Sequence, residues 1–236
     1  MRIRSEEHLE GAKDAFSVSI SDLMSGLLAI FILALAYFIL NFSQATSQLT
    51  QNDALRAQLL DDVQQQLSAD GIQVTVDEKH GILRISEGVL FDAGHADLKP
   101  QGQIVIQKLS AILATTLQSE TYAGTVETIF IEGHTDNTPI NNGMFPSNWE
   151  LSTKRAINTW RMMTKARPDL DQLQNKTKQP IFSCSGYAET RPIADNASAA
   201  GKQANRRIDI RFTMSPPTEE DMSIVKFVHG RLEHHE

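Results

Sequence analysis

The apolar positions of this chain change character twice. From Ile20 to Phe42 they run almost without a break, interrupted only by Ser21, Asp22, Ser25, Gly26 and Asn41. From Ser43 to Asp70 the chain turns polar and glutamine-rich, and Leu55, Leu59, Val63 and Leu67 recur every fourth residue, which predicts one apolar helix face. After Gly71 the period drops to two: Ile72, Val74 and Val76 alternate, turn residues fill 77–81, and Ile82 to Ile85 reads as a return strand. Pro100 suits the first turn of a helix through Leu117, with Ile104, Leu109, Ile112 and Leu113 as its apolar positions. Val126 to Glu132 reads as a strand, and Ser147 with Glu150 forms a capping-box pattern that opens a helix ending before Pro168. Ile181 to Tyr187 and Ile208 to Met214 are further strands. The order β-β-α-β-α-β, with Ile208 to Met214 adding a fifth strand, predicts an α+β sandwich with helices on one face of a mixed sheet.

The first stretch has the length of a membrane span. Its uninterrupted part, Gly26 to Leu40, covers only about 22 Å of a hydrocarbon core roughly 30 Å thick, so a span must take in Asp22 as well. Arg2, Arg4 and Lys13 precede it and no basic residue follows until Arg56, which places the N-terminus in the cytoplasm. A cleaved leader is the competing reading, with Ala34-Leu35-Ala36 as its small-residue site. Against it stand a long acidic leading segment, with Glu6, Glu7, Glu10 and Asp14, and an aspartate at the mouth of the apolar run. The expected plan is a cytoplasmic N-terminus (1–17), a transmembrane helix (18–42), a helical connector (43–70), a domain outside the membrane (71–214) and a tail (215–236) with room for a short helix. The connector's apolar face suits either a parallel dimer contact or packing on the domain that follows.

Composition adds exclusions. Across 236 residues, 22 Lys and Arg stand against 29 Asp and Glu, a net charge of −7 with no basic cluster, which argues against direct nucleic-acid binding. The single cysteine, Cys184, rules out an intramolecular disulfide and a multi-cysteine zinc site, and its strand context reads as a small core residue. His134, His80 and His95 raise a metal or hydrolytic site, but no helical histidine pair or nucleophile elbow accompanies them, and a histidine ending a strand reads as a structural hydrogen-bonder.

Four ordered motifs carry a resemblance. Gly133-His134-Thr135-Asp136-Asn137, then Asn148-x-x-Leu151-Ser152-x-x-Arg155-Ala156, then Gly186-Tyr187-Ala188-Glu189 with Pro192-Ile193-Ala194, then Asn205-Arg206-Arg207-Ile208, resemble the OmpA-like peptidoglycan-binding domain over Gly71 to Met214. The run Phe91-Asp92-x-Gly94-x-Ala96-x-Leu98-x-Pro100 agrees with it. On a helix, Asn148, Ser152, Arg155 and Thr159 share a sector of about 60°, so Asn148 and Arg155 look the same way. The wall's stem peptide carries diaminopimelate, whose zwitterionic end needs a carboxylate for its ammonium and a guanidinium for its carboxylate. The resemblance implies those roles for Asp136 and Arg155, with Asn148, Asn205 and Arg206 at further binding positions. Strand alternation lets only one of Arg206 and Arg207 face the pocket, and Arg206 is preferred. Lys202 stands where the family commonly has Arg.

An ionisable residue in a membrane helix costs roughly 2.5–3.5 kcal/mol at the centre, which makes Asp22 a candidate functional residue. It shares a helix face with Ser25, Gly26, Ala29, Leu33 and Ala36, a stripe suited to close packing, opposite bulky Leu28, Ile32, Leu35 and Ile39. The bland alternative is a boundary aspartate in cytoplasmic water. One span with an early Asp, in the context Ser19-Ile20-Ser21-Asp22-Leu23-Met24, followed by an OmpA-like domain, is similar to the stator superfamily of the MotB and PomB type and to ZorB of the Zorya anti-phage system. That resemblance implies a non-enzymatic inner-membrane protein with a periplasmic domain. It also implies a homodimer threading a ring of MotA- or ZorA-like multi-span subunits, five to two, with Asp22 carrying H⁺ or Na⁺. The short stretch between Phe42 and Gly71 favours the ZorB-like branch over a flagellar stator with its plug and extended linker. A passive wall anchor and a periplasmic hydrolase are the other classes left open.

Overall fold

The structure is a computed structural model that describes residues 3–140 and 143–216, with side chains from residue 20 onward except at 44, 45, 48 and 49. The expected tail helix, and the side chains of the cytoplasmic segment, lie outside the described residues. The described residues divide into two compact units, one reaching as far as Leu49 and the other Thr50–Pro216.

In the first unit, helix α1 (Ile3–Ala69) carries the apolar run. Ile20–Ser43 is long and apolar enough to cross a membrane, with a mean hydropathy of 2.6, and none of it is buried. Its leucines, isoleucines and phenylalanines are exposed on every side of the helix, as a segment solvated by lipid requires.

From Thr50 onward the same helix clusters with the second unit, nearly six turns ahead of the strands that follow residue 71. Leu59, Leu60, Val63 and Leu67 have no exposed surface and pack in one core with Leu83, Ile85, Ile106, Leu109, Ile129, Ile210 and Phe212. Of the two roles open to the four-residue repeat, the structure takes the intramolecular one. Hydrogen bonds tie this segment down, among them Tyr122 Oη donating to Asp62 Oδ2 (2.7 Å) and Asn52 Nδ2 donating to the Ser215 carbonyl (2.8 Å). The helix stops because Gly71 adopts φ 76°. Its N–H then reaches the Ser68 carbonyl, while that of Ile72 reaches Leu67, and the buried Leu67 and Ile72 side chains close this Schellman motif.

The remaining elements are β1 (Thr75–Asp77), β2 (Ile82–Ser86), α2 (Glu87–Leu90), α3 (Pro100–Leu117), β3 (Val126–His134), α4 (Asn148–Ala166), a 3-10 turn (Pro168–Gln172), β4 (Phe182–Gly186), α5 (Ala199–Asn205) and β5 (Arg207–Met214). The five strands lie in the order β1-β2-β5-β3-β4, with β3 and β4 parallel and every other pair antiparallel. The expected α+β sandwich with a mixed sheet is therefore the observed fold. Two short helices were not foreseen, α2 and α5, because one or two turns hold too few residues to show a period. Alternation sends Leu83, Ile85, Ile129, Ile131, Ile208, Ile210 and Phe212 into the core and Arg84, Glu132, Arg207, Asp209 and Arg211 to the opposite face.

Candidate binding pocket

Helix α4 sets the site. Ser147 caps it, its Oγ accepting from the Trp149 N–H (3.2 Å) and donating to Glu150 Oε2 (2.5 Å), a variant of the expected box in which the two side chains bond each other. The helix backbone lies hard against the sheet at Ser152. A Cβ on Gly133 would stand 2.1 Å from the Ser152 carbonyl oxygen, so only glycine on β3 permits this approach. The stripe Asn148, Ser152, Arg155 and Thr159 consequently faces inward, and all four are buried.

Where this stripe meets the ends of α2, β3 and α5, a pocket of about 440 Å³ opens, lined by Glu87, Asp136, Thr138, Asn148, Arg155 and Arg206 among others. Arg155 is only 2% exposed. Its Nη2 donates to Glu87 Oε1 (2.6 Å), its Nε to the His95 carbonyl (2.8 Å), and the guanidinium lies 5.2 Å from the Phe91 ring centroid. Its Nη1 has no hydrogen bond among the described residues and remains as the donor for a pocket ligand. Burial pulls Arg155 below its ordinary pKa, and the Glu87 charge opposes that pull.

Asp136 accepts the Thr138 N–H at Oδ1 (2.8 Å) and Arg206 Nη1 at Oδ2 (2.5 Å). Burial pushes its carboxyl up, but the Thr138 amide and Arg206 together outweigh burial and hold it below the usual value. Asn148 Nδ2 donates to the Thr138 carbonyl (3.0 Å) and to Glu189 Oε2 (3.1 Å). Arg206 Nε lies 3.4 Å from Glu87 Oε2. Four charges thus alternate through the pocket as Arg155, Glu87, Arg206, Asp136.

Four of the five expected site residues, Asp136, Asn148, Arg155 and Arg206, come together. Asn205 does not. It is fully buried outside the pocket, where Oδ1 accepts the N–H groups of Ile193 (2.7 Å) and Ala194 (3.0 Å) and Nδ2 donates to the Ala194 carbonyl and Asn196 Oδ1 (both 2.8 Å). Its amide saturates a loop and has nothing left for a ligand. Arg207 points to the opposite face and pairs with Asp209 (3.0 Å), as alternation requires. Lys202 stands at the rim, its Nζ donating to Thr138 Oγ1 (3.1 Å). Glu87 and Thr138 were not foreseen: Glu87 opens a single-turn helix, and Thr138 works largely through its backbone.

His134 departs from its expected role as a hydrogen-bonder. Neither ring nitrogen has a hydrogen-bond partner among the described residues, and the ring stacks on Tyr187 with centroids 5.4 Å apart. Burial, with Arg207, Arg191 and Arg84 nearby, pushes its pKa down to about 3, so it is neutral at pH 7. Among the described residues no group of three or more His, Cys, Asp or Glu could hold a metal. Cys184 is half-buried against the core, and burial pushes its thiol up to about 11. In the first unit, Asp22 sits on α1 within the apolar run, its side chain exposed.

Residues 90–206 match the OmpA family. The chain carries an OmpA-like domain. Motility protein B of Bacillus subtilis (strain 168) is 33% identical over 129 residues, covering 55% of this chain and 43% of that protein. Zorya protein ZorB of Escherichia coli O139:H28 (strain E24377A / ETEC) is 23% identical over 217 residues, covering 89% of this chain and 82% of that protein. Among solved structures, the cell wall anchor of the T6SS from Pseudomonas aeruginosa superposes with a TM-score of 0.50 at 25% identity, covering 67% of this chain and 96% of that one. The chain spans about half the length of the motility proteins it matches.

Proposed function

We propose that this protein is the wall-anchored stator subunit of an ion-driven membrane motor of the Zorya kind. One observation carries the reading: a pocket with two cations and two anions stands on the same chain as a membrane-length helix that carries one carboxylate. The pocket's alternating charges suit the zwitterionic end of diaminopimelate, with Arg155 and Arg206 for its carboxylate and Asp136 for its ammonium. Asn148 shapes the wall beside them. Gripping the peptidoglycan makes and breaks no bond, so the role is mechanical.

Asp22 is the ion carrier in this reading. A carboxylate in the span takes up H⁺ or Na⁺ from one side and releases it to the other, driven by about 2.3 kcal/mol per charge per 100 mV. Its partners are a second copy of this chain and a ring of multi-span membrane subunits of the MotA or ZorA type. The N-terminus is cytoplasmic and the second unit periplasmic, following the basic residues that precede the span. Two observations favour the ZorB branch: similarity to ZorB extends over 89% of the chain, and only residues 44–49 separate the span from the second unit. The similarity to motility protein B favours the flagellar reading as runner-up, and a passive wall anchor is the third.

The test is Asp22→Asn in cells carrying the partner subunits, scored as plaque-forming efficiency of phage. The motor reading expects loss of protection with the protein still in the membrane; full protection would leave the passive anchor. For the wall, the full chain in detergent is sedimented with purified sacculi. Asp136→Ala is expected to lower the bound fraction about tenfold, as removal of one charge-assisted contact does, and unchanged binding rejects the pocket.

A further inference from the structure

Glu87 is a charged member of the pocket that the resemblance does not single out, and one of its carboxylate oxygens is unsatisfied. It is 5% exposed at the start of α2, its Oε1 is engaged by Arg155 at 2.6 Å, and its Oε2 lines the pocket with no hydrogen bond. A buried carboxylate oxygen without a donor is costly, and a ligand donor reaching it would recover that cost. The nearest cation is Arg206, whose Nε stands 3.4 Å away, beyond hydrogen-bonding geometry, while its Nη1 binds Asp136 at 2.5 Å. One guanidinium therefore bridges two carboxylates.

The two arginines differ in freedom. Arg155 is anchored by Glu87, the His95 carbonyl and Phe91, whereas the Arg206 side chain is 38% exposed and precedes β5 directly. Arg206 is the group that can swing out.

We propose that Glu87 is the second carboxylate of an ammonium subsite shared with Asp136, and that Arg206 occupies this subsite in the structure. The inference rests on the reading of the pocket as a diaminopimelate site and adds a residue and an exchange to it. An ammonium group has three donors and is smaller than a guanidinium, so it can satisfy Glu87 Oε2 and Asp136 Oδ2 together. Its arrival displaces Arg206, which then joins Arg155 Nη1 at the ligand's carboxylate. The charge count is conserved when the incoming group is zwitterionic: one ammonium replaces one guanidinium between the carboxylates, and one carboxylate meets the released cation. A plain ammonium end, such as that of lysine, would expel Arg206 and offer it no partner. The subsite therefore selects an ammonium and a carboxylate on the same carbon.

The experiment is calorimetric titration of the full chain in detergent with two probes. One is the tripeptide N-acetyl-L-Ala-γ-D-Glu-meso-diaminopimelate, whose one free amine is on the diaminopimelate side chain; the other is the same peptide acetylated on that amine as well. The unmodified protein is expected to prefer the free amine. Glu87→Gln keeps an oxygen for Arg155 Nη2 but removes the charge, so affinity for the free amine should fall about tenfold while affinity for the acetylated peptide stays the same, narrowing the preference by that factor. Glu87→Asp should restore part of the preference, and thermal melting of each variant shows that it is folded. Equal weakening towards both peptides would mean that Glu87 only supports Arg155, and an unchanged preference would mean that it takes no part; either overturns the proposal while leaving the pocket. If Asp136→Ala binds like the unmodified protein, or the unmodified protein shows no preference, the pocket reading itself falls and this inference with it.

Discussion

The stretch Ile20–Ser43 and the inner stripe of α4 invert each other. The first is apolar and exposed throughout; the second, Asn148, Ser152, Arg155 and Thr159, is polar and buried. Exposed apolar surface on this scale, at about 25 cal/mol per Å², is tolerable only where the surroundings are not water. A buried guanidinium is tolerable only where its donors are met, as Glu87 and the His95 carbonyl meet those of Arg155. The difference teaches that burial here tracks what each surface can pair with inside the chain: the apolar run is left uncovered, whereas the polar stripe is met by Glu87 and the His95 carbonyl.

The comparison breaks most visibly at Arg155. Arg155→Leu leaves the inner Glu87 oxygen without its cation and is expected to cost about 3–5 kcal/mol. The readout is urea unfolding of the full chain in detergent followed by tryptophan fluorescence. Both tryptophans, Trp149 and Trp160, lie on α4, so the signal reports the second unit alone. A loss below 1 kcal/mol would show that the stripe is not held by its ion pair. Next comes Gly133→Ala, whose added Cβ meets the Ser152 backbone and should cost about 3 kcal/mol by the same assay.

A smaller effect concerns pH. His134 titrates at 6.5 when unfolded and at about 3 when folded, so the unfolded chain takes up its proton first as pH falls. Its contribution is fully present above about pH 6.5 and is lost as pH falls towards 3, on the order of 2 kcal/mol by pH 5. Unfolding curves from pH 7 to pH 5 check this, and His134→Gln should flatten the dependence. The smallest expected effect sharpens the contrast from the other side: Asp22→Asn should leave the unfolding midpoint of the second unit unchanged. A shift there would mean that the exposed run supports the domain's stability.

Legibility followed the range of the interaction. The stripe on α4 could be read from spacing because a helix of that length repeats its face several times. The repeat Leu55, Leu59, Val63 and Leu67 was equally clear as a face, yet nothing in it says whether it meets a second chain or its own sheet. Asn205 shows a different limit. A residue inside a binding motif can serve by saturating a neighbouring loop, and its amide geometry, with the N–H groups of Ile193 and Ala194, appears only once that loop is placed. Glu87 carried no local signal, since a lone acid before an apolar turn is ordinary.

The sequence alone determined the membrane-length run with its single aspartate, the positions of the five strands and two long helices, and which side of α4 is polar. Each of these is encoded by near neighbours along the chain, through hydropathy, period and capping. Tertiary structure decided the rest. It brought Glu87, Asp136, Arg155 and Arg206 from four separate stretches of chain into one alternating set of charges, turned the connector's last turns into core, and placed Asn205 outside the pocket. These outcomes depend on distances between residues far apart in sequence, set by how closely α4 can approach β3 at Gly133, and no local pattern contains them.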